Sequence, residues 1–128
     1  MKYTAIAIVE LLMGGALLYF WYAFFREVHE PAGKPEGFFL HERAFVWPDV
    51  TLALLLFVSA GLLLTGNPLG ERTSLVAGGM CLFLGIIDFA YDAQNGMLSP
   101  SAEGRAENLF IDSLALGMGL LLSLAFLF

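Results

Sequence analysis

The sequence predicts an all-α integral membrane protein: four transmembrane helices in a small bundle, with one interfacial loop between helices 1 and 2. Three observations carry that expectation. Hydrophobic residues make up 59% of the 128-residue chain and the mean hydropathy is +0.77, more apolar surface than a soluble domain of this size buries. Four apolar runs are each long enough to cross a hydrocarbon core of roughly 30 Å, which takes about 20 helical residues. The few polar residues inside those runs share single helical faces. The runs lie at about 3–25, 49–65, 73–93 and 109–128 in one transmembrane domain spanning 1–128, and 28–46 is the one long connection. The lipid bilayer is the first expected partner, and the expected localisation is that of a multi-pass membrane protein.

The first run is read as a span and not as a signal peptide. It is long, contains Glu10 and Gly14-Gly15, and shows no small-x-small cleavage pattern before Arg26. Tyr3, Ala7, Glu10, Gly14, Leu17, Trp21 and Phe24 fall on one side of it. An ionised Glu10 buried in an apolar phase would cost several kcal/mol unless paired, protonated or hydrated, so it is expected to face the bundle. The aromatic group from Tyr19 to Phe25, followed by Arg26, marks an interface.

Residues 28–46 hold two prolines and two glycines yet also Phe38, Phe39, Leu40 and Phe45, too apolar for a free loop. This segment is expected to lie along the membrane surface or to fold back over the helix ends. Trp47-Pro48-Asp49 opens the second span, where proline suits a first turn and an acid meets the positive end of the helix dipole. That span carries no charge beyond Asp49, only Thr51, Ser59 and Gly61, and reads as scaffold. Gly66-Asn67-Pro68-Leu69-Gly70 is a tight turn by composition, which makes spans two and three antiparallel neighbours.

The third span organises the rest. Ser74, Gly78, Cys81, Gly85, Asp88, Asp92 and Asn95 share one face, a small and polar seam on a helix otherwise apolar all round. In the fourth span Asn108, Asp112, Ala115 and Gly119 form a matching face, and the two seams are expected to meet. Cys81 reads as a small packing residue. Gly14-Gly15 precedes Asp49 much as Gly78-Gly79 precedes Asp112, a faint sign of duplicated hairpins.

Alternating spans bring Asp49, Asp88, Asp92, Asp112, Asn95, Asn108 and Tyr91 to one side of the membrane, with Glu10 in the other half. Asp88 and Asp92, one turn apart, can hold one ligand, either a cation or a shared proton. These residues are the candidate cation- or ligand-binding set, and a small hydrophobic ligand is the other occupant considered. His29, His41 and Glu42 are weak metal-ligand candidates without diagnostic spacing. No cofactor signature is visible, and six scattered basic residues against a net charge of -6 argue against nucleic acid. Basic residues lean toward the side of the long connection, which places both termini outside by the positive-inside rule. The leading expectation is a cation- or proton-handling transport or channel-like protein. Its alternatives are an accessory subunit of a larger membrane complex and a membrane enzyme acting on a lipid or isoprenoid, the last disfavoured by the absence of a nucleophile or phosphate-loop motif. A homo-oligomer or partner membrane subunits are expected, because a carboxylate such as Glu10 is more readily buried between chains than inside four helices.

Overall fold

The structure, a computed structural model, describes residues 1–26, 35–102 and 104–128. It contains α1 (Lys2–Phe24), α2 (Phe38–Arg43), α3 (Val46–Leu64), α4 (Leu69–Gln94) and α5 (Arg105–Leu127), and no strand among the described residues. Helices α1, α3, α4 and α5 are each long and apolar enough to cross a membrane. They coincide with the four predicted runs, but α3, α4 and α5 each begin earlier than hydropathy suggested. Their first turns carry polar or proline residues, Trp47-Pro48-Asp49, Gly70-Glu71-Arg72 and Arg105-Ala106-Glu107, which a helix start tolerates and an apolar run excludes.

Two helix ends are set by glycine. Gly66 and Gly96 adopt φ +72° and +71° just beyond α3 and α4. The amides of Asn67 and Met97 then bond back to the carbonyls of Leu62 and Asp92 at 2.9 and 2.8 Å, the reversal that satisfies otherwise unpaired helix-end carbonyls. At the first of these turns Gly70 lies against the Leu63 backbone, where a Cβ would come within 2.9 Å of its nitrogen. Antiparallel α3 and α4 therefore touch from the turn onward.

The long helices form an arc in which α1 packs on α3, α3 on α4 and α4 on α5. Helices α1 and α5 do not pack along their length. They meet at the far end from α2, where Lys2 Nζ donates to the Ala125 carbonyl at 2.6 Å and Tyr3 stacks on Phe126 with centroids 6.2 Å apart. The interior holds Ile6, Ala7, Leu52, Leu56, Ala77, Cys81 and Leu122, all buried. Leu12, Tyr19, Val58, Phe83, Ile86 and Leu124 are exposed on the outward faces, an apolar exterior that water disfavours.

The small-residue seams meet as the sequence suggested. A Cβ on Gly119 would lie 2.6 Å from Leu82 Cγ and 2.8 Å from the Leu82 nitrogen, and one on Gly78 would lie 3.0 Å from Leu122 Cβ. Backbone opposes backbone here, so neither helix can yield by turning a side chain. Of the segment 28–46, residues 28–34 lie outside the described residues. The remainder is not plain loop: it carries α2, which folds over the helix ends, with Phe39 stacked on Phe24 at 4.9 Å and His41 on Tyr91 at 3.8 Å.

The seam makes a paired prediction. Gly119→Ala should lose about 1–3 kcal/mol of stability through overpacking. Gly79→Ala, where a Cβ meets nothing within 4 Å, should be neutral or gain up to about 1 kcal/mol from helix propensity. Thermal unfolding in one detergent compares the two, and equal melting points would contradict the close α4–α5 approach.

Candidate functional site

The arc leaves a cleft of about 360 Å³ on its open side. Each helix contributes to it for a local reason. The start of α3 brings Asp49 and Leu52, the last turns of α4 bring Asp88 and Asp92, and the first turns of α5 bring Glu107, Asn108 and Asp112. From α1 come Met13, Ala16, Leu17, Phe20 and Phe24, and from α2 Phe38 and Glu42. The walls are thus mostly apolar and aromatic. Carboxylates of Glu42, Asp49, Asp88, Asp92, Glu107 and Asp112 gather at one end, and among the described lining residues there is no Lys, Arg or His.

The acids are held differently. Asp49 Oδ2 accepts a hydrogen bond from the indole nitrogen of Trp21 at 2.9 Å, which ties α3 to α1. The sequence suggested a helix-dipole role for Asp49; the structure adds this cross-helix partner. Asp92 is buried in the last full turn of α4, beside Asp112 of α5. Asp112 is 2% exposed, and its Oδ2 is buried without a partner. Asn108 Nδ2 donates to the Met97 carbonyl at 3.2 Å, fixing the α4–α5 connection beneath the acids. Asp88, one turn deeper, is half-buried in the cleft wall.

Glu10 lies apart from this group, in the other half of the bundle, and is fully buried within the single chain. Its Oε1 accepts from Ser59 Oγ of α3 at 2.9 Å and from Ser74 Oγ of α4 at 2.6 Å. Ser59 Oγ also approaches the Gly70 carbonyl at 3.3 Å, and the two serine hydroxyls contact each other. Oε2 is buried without a partner. Two hydroxyls and close helix packing thus bury Glu10 within the single chain.

Asn95, Tyr91 and His41 are not among the cleft lining residues. Asn95 is exposed at the end of α4 and donates to the Tyr91 carbonyl at 2.8 Å. Tyr91 forms the stacked pair with His41. His29 lies outside the described residues. Among the described residues no three His, Cys, Asp or Glu side chains form a group that could hold a metal ion, so His41 and Glu42 gain no support as ligands and the cleft acids are spread along a wall instead of converging on a point.

Sequence reasoning missed Ser59, Ser74 and Trp21 as partners of the acids. A signal existed for Ser59: it continues the spacing of Leu52, Leu56 and Leu63, all buried on one face of α3, so the span read as scaffold points its lone central hydroxyl inward. No known protein family, curated protein or solved structure matches this chain.

The Glu10 node predicts non-additive stability. Ser74→Ala should cost about 1 kcal/mol, and Glu10→Ala, which removes two hydrogen bonds and leaves a buried void, about 3 kcal/mol. The double variant should fall short of the sum by about 0.5–2 kcal/mol. Unfolding of the four proteins in detergent closes the cycle, and strict additivity would contradict the node.

Proposed function

We propose that this chain is a multi-pass membrane protein that binds a cation in the α1–α5 cleft in exchange for a proton, the elementary step of a transport or channel-like protein. The observation that carries this reading is the lining of the cleft: six carboxylates, Glu42, Asp49, Asp88, Asp92, Glu107 and Asp112, gathered at one end of an otherwise apolar and aromatic wall. Acids crowded in a low-dielectric space are stable only when protons or cations accompany them.

The chemistry follows from the crowding of Asp92 and Asp112 on the cleft wall. Without a cation, a proton on either acid would relieve their mutual repulsion. A cation in the cleft is attracted to the same oxygens and stabilises both carboxylates in the ionised form, so the proton leaves. Asp112 Oδ2, buried without a partner, gives the cation a lone pair that no protein donor occupies. Asp88 and Asp49, farther along the wall, add attraction without competing for that proton. Transport additionally requires the site to open alternately to the two sides.

Proton release tests the reading. The purified protein in weakly buffered detergent is titrated with sodium, magnesium, tetramethylammonium and tetraphenylphosphonium, with pH recorded. At least one of them should release about one proton per cation bound, and Asp112→Asn, which removes one of the two neighbouring acids, should abolish that release while the protein still melts cooperatively. A folded wild type that binds none of the four, or binds one with no proton released, refutes the exchange.

A further inference from the structure

We infer that the cation this cleft takes is amphiphilic: an amine or quaternary ammonium on a hydrophobic body, admitted sideways between α1 and α5. The inference rests on the cation reading above and narrows it to one chemical class and one route.

Shape comes first. The cleft's volume of about 360 Å³ falls in the range of about 300–1,000 Å³ of pockets that hold drug-sized ligands, far more than a bare ion fills. It reaches from Cys81 to Asp92 along α4, about 16 Å at the helical rise. At the Cys81 end the walls are Met13, Leu17 and Leu52, and at the other end the acids. A ligand that satisfies both ends has an apolar body and a cationic head.

The acids are arranged for such a head. They do not form a metal-holding group among the described residues, so they suit a diffuse charge better than a point charge that must gather its ligands around it. Phe24, Phe38 and Phe45 stand at the acidic end, and aromatic faces attract alkylammonium groups from which water has been displaced.

The route follows from the helix arc. Helices α1 and α5 are tied at one end through Lys2 with Ala125 and Tyr3 with Phe126, and are otherwise unpacked against each other. Ala16 of α1 and Phe110 and Leu114 of α5 are cleft residues that are also exposed on the outer surface. They edge an opening that faces the apolar exterior, where an amphiphile is concentrated and a hydrophilic ion is not.

The test uses equilibrium dialysis and stopped-flow binding on the full chain in phosphatidylcholine nanodiscs and, in parallel, in maltoside micelles. Three probes are measured separately: tetraphenylphosphonium, its anionic shape-match tetraphenylborate, and tetramethylammonium. Tetraphenylphosphonium should bind saturably and at least about tenfold more tightly than tetramethylammonium, with tetraphenylborate showing no saturable binding. Asp88→Asn should weaken tetraphenylphosphonium about fivefold or more, and Asp112→Asn should do the same if it folds. Ala16→Trp, a bulky group at the exposed edge, should slow its association about fivefold or more.

Each contrary outcome has a meaning. Asp88-dependent binding of tetramethylammonium as tight as that of tetraphenylphosphonium overturns the amphiphile and leaves cation binding standing. Unchanged association in Ala16→Trp overturns the sideways route. A two-chain particle that binds only after dissociation shows that a second copy covers the opening. Equal saturable binding of tetraphenylborate, or no binding of either cation, brings down both the inference and the cation reading.

Discussion

The fold depends on where Glu10 puts its carboxyl group. In an apolar bundle a glutamate without partners costs more than any single packing contact returns, and the partners here come from two other helices, Ser59 on α3 and Ser74 on α4. Meeting both fixes the rotation of α1 about its own axis. With Glu10 turned inward, Ala7 and Gly14 face the same way, and Trp21, two turns beyond Gly14, reaches Asp49. Met13 and Leu17 are carried to the side and become a cleft wall. Helix α5 is positioned independently by the glycine contacts with α4. One helix held by polar bonds and another by backbone proximity come to lie at opposite ends of an arc, and the cleft is the space between them.

Much of this was legible in the chain because a helix in apolar surroundings shows its interior face by its small and polar residues. The face read on the first span, Ala7, Glu10, Gly14, Trp21 and Phe24, is buried in the structure, and Tyr3, at its end, is exposed. The third-span seam is buried at Ser74, Gly78, Cys81, Gly85 and Asp92 and emerges at Asn95. What periodicity does not state is which helices fail to touch. Every helix's own pattern is compatible with a closed four-membered bundle, and the gap between α1 and α5 arises only from the sum of three pairings. For the same reason the cleft was invisible, and small interior space was expected where a ligand-sized volume exists. The short helix α2 was hidden by its prolines and glycines, although the apolar Phe38 and Phe39 showed that the segment needed cover.

The two polar centres differ in what they leave unsatisfied. At Glu10 one oxygen collects both serine hydroxyls, and the surroundings are helix backbone and close-packed side chains, so the group acts as a structural tie among α1, α3 and α4. At the α4–α5 end the acids have each other, an indole and a single amide-fixed turn, and they line open space. A carboxyl that serves only stability gains by being enclosed with its donors. Acids set along a cleft are not accounted for by stability alone, so the proposed cation binding is assigned to Asp88, Asp92 and Asp112 and not to Glu10.

That asymmetry also bears on why proton and cation would be coupled without any added device. Like charges a few ångströms apart in a low-dielectric cleft repel strongly, so the number of ionised acids depends on how much positive charge is present. A proton on Asp92 or Asp112 and a cation beside them would be two ways of meeting one requirement, each lowering the need for the other. Reciprocity then follows from thermodynamic linkage: whatever makes the proton easier to lose makes the cation easier to bind. The apolar wall toward Cys81 contributes to only one of these partners, since a proton has no surface to bury. A hydrophobic body on the cation therefore tilts the competition in the cation's favour, and the same wall that excludes water from the acids supplies the affinity that displaces the proton.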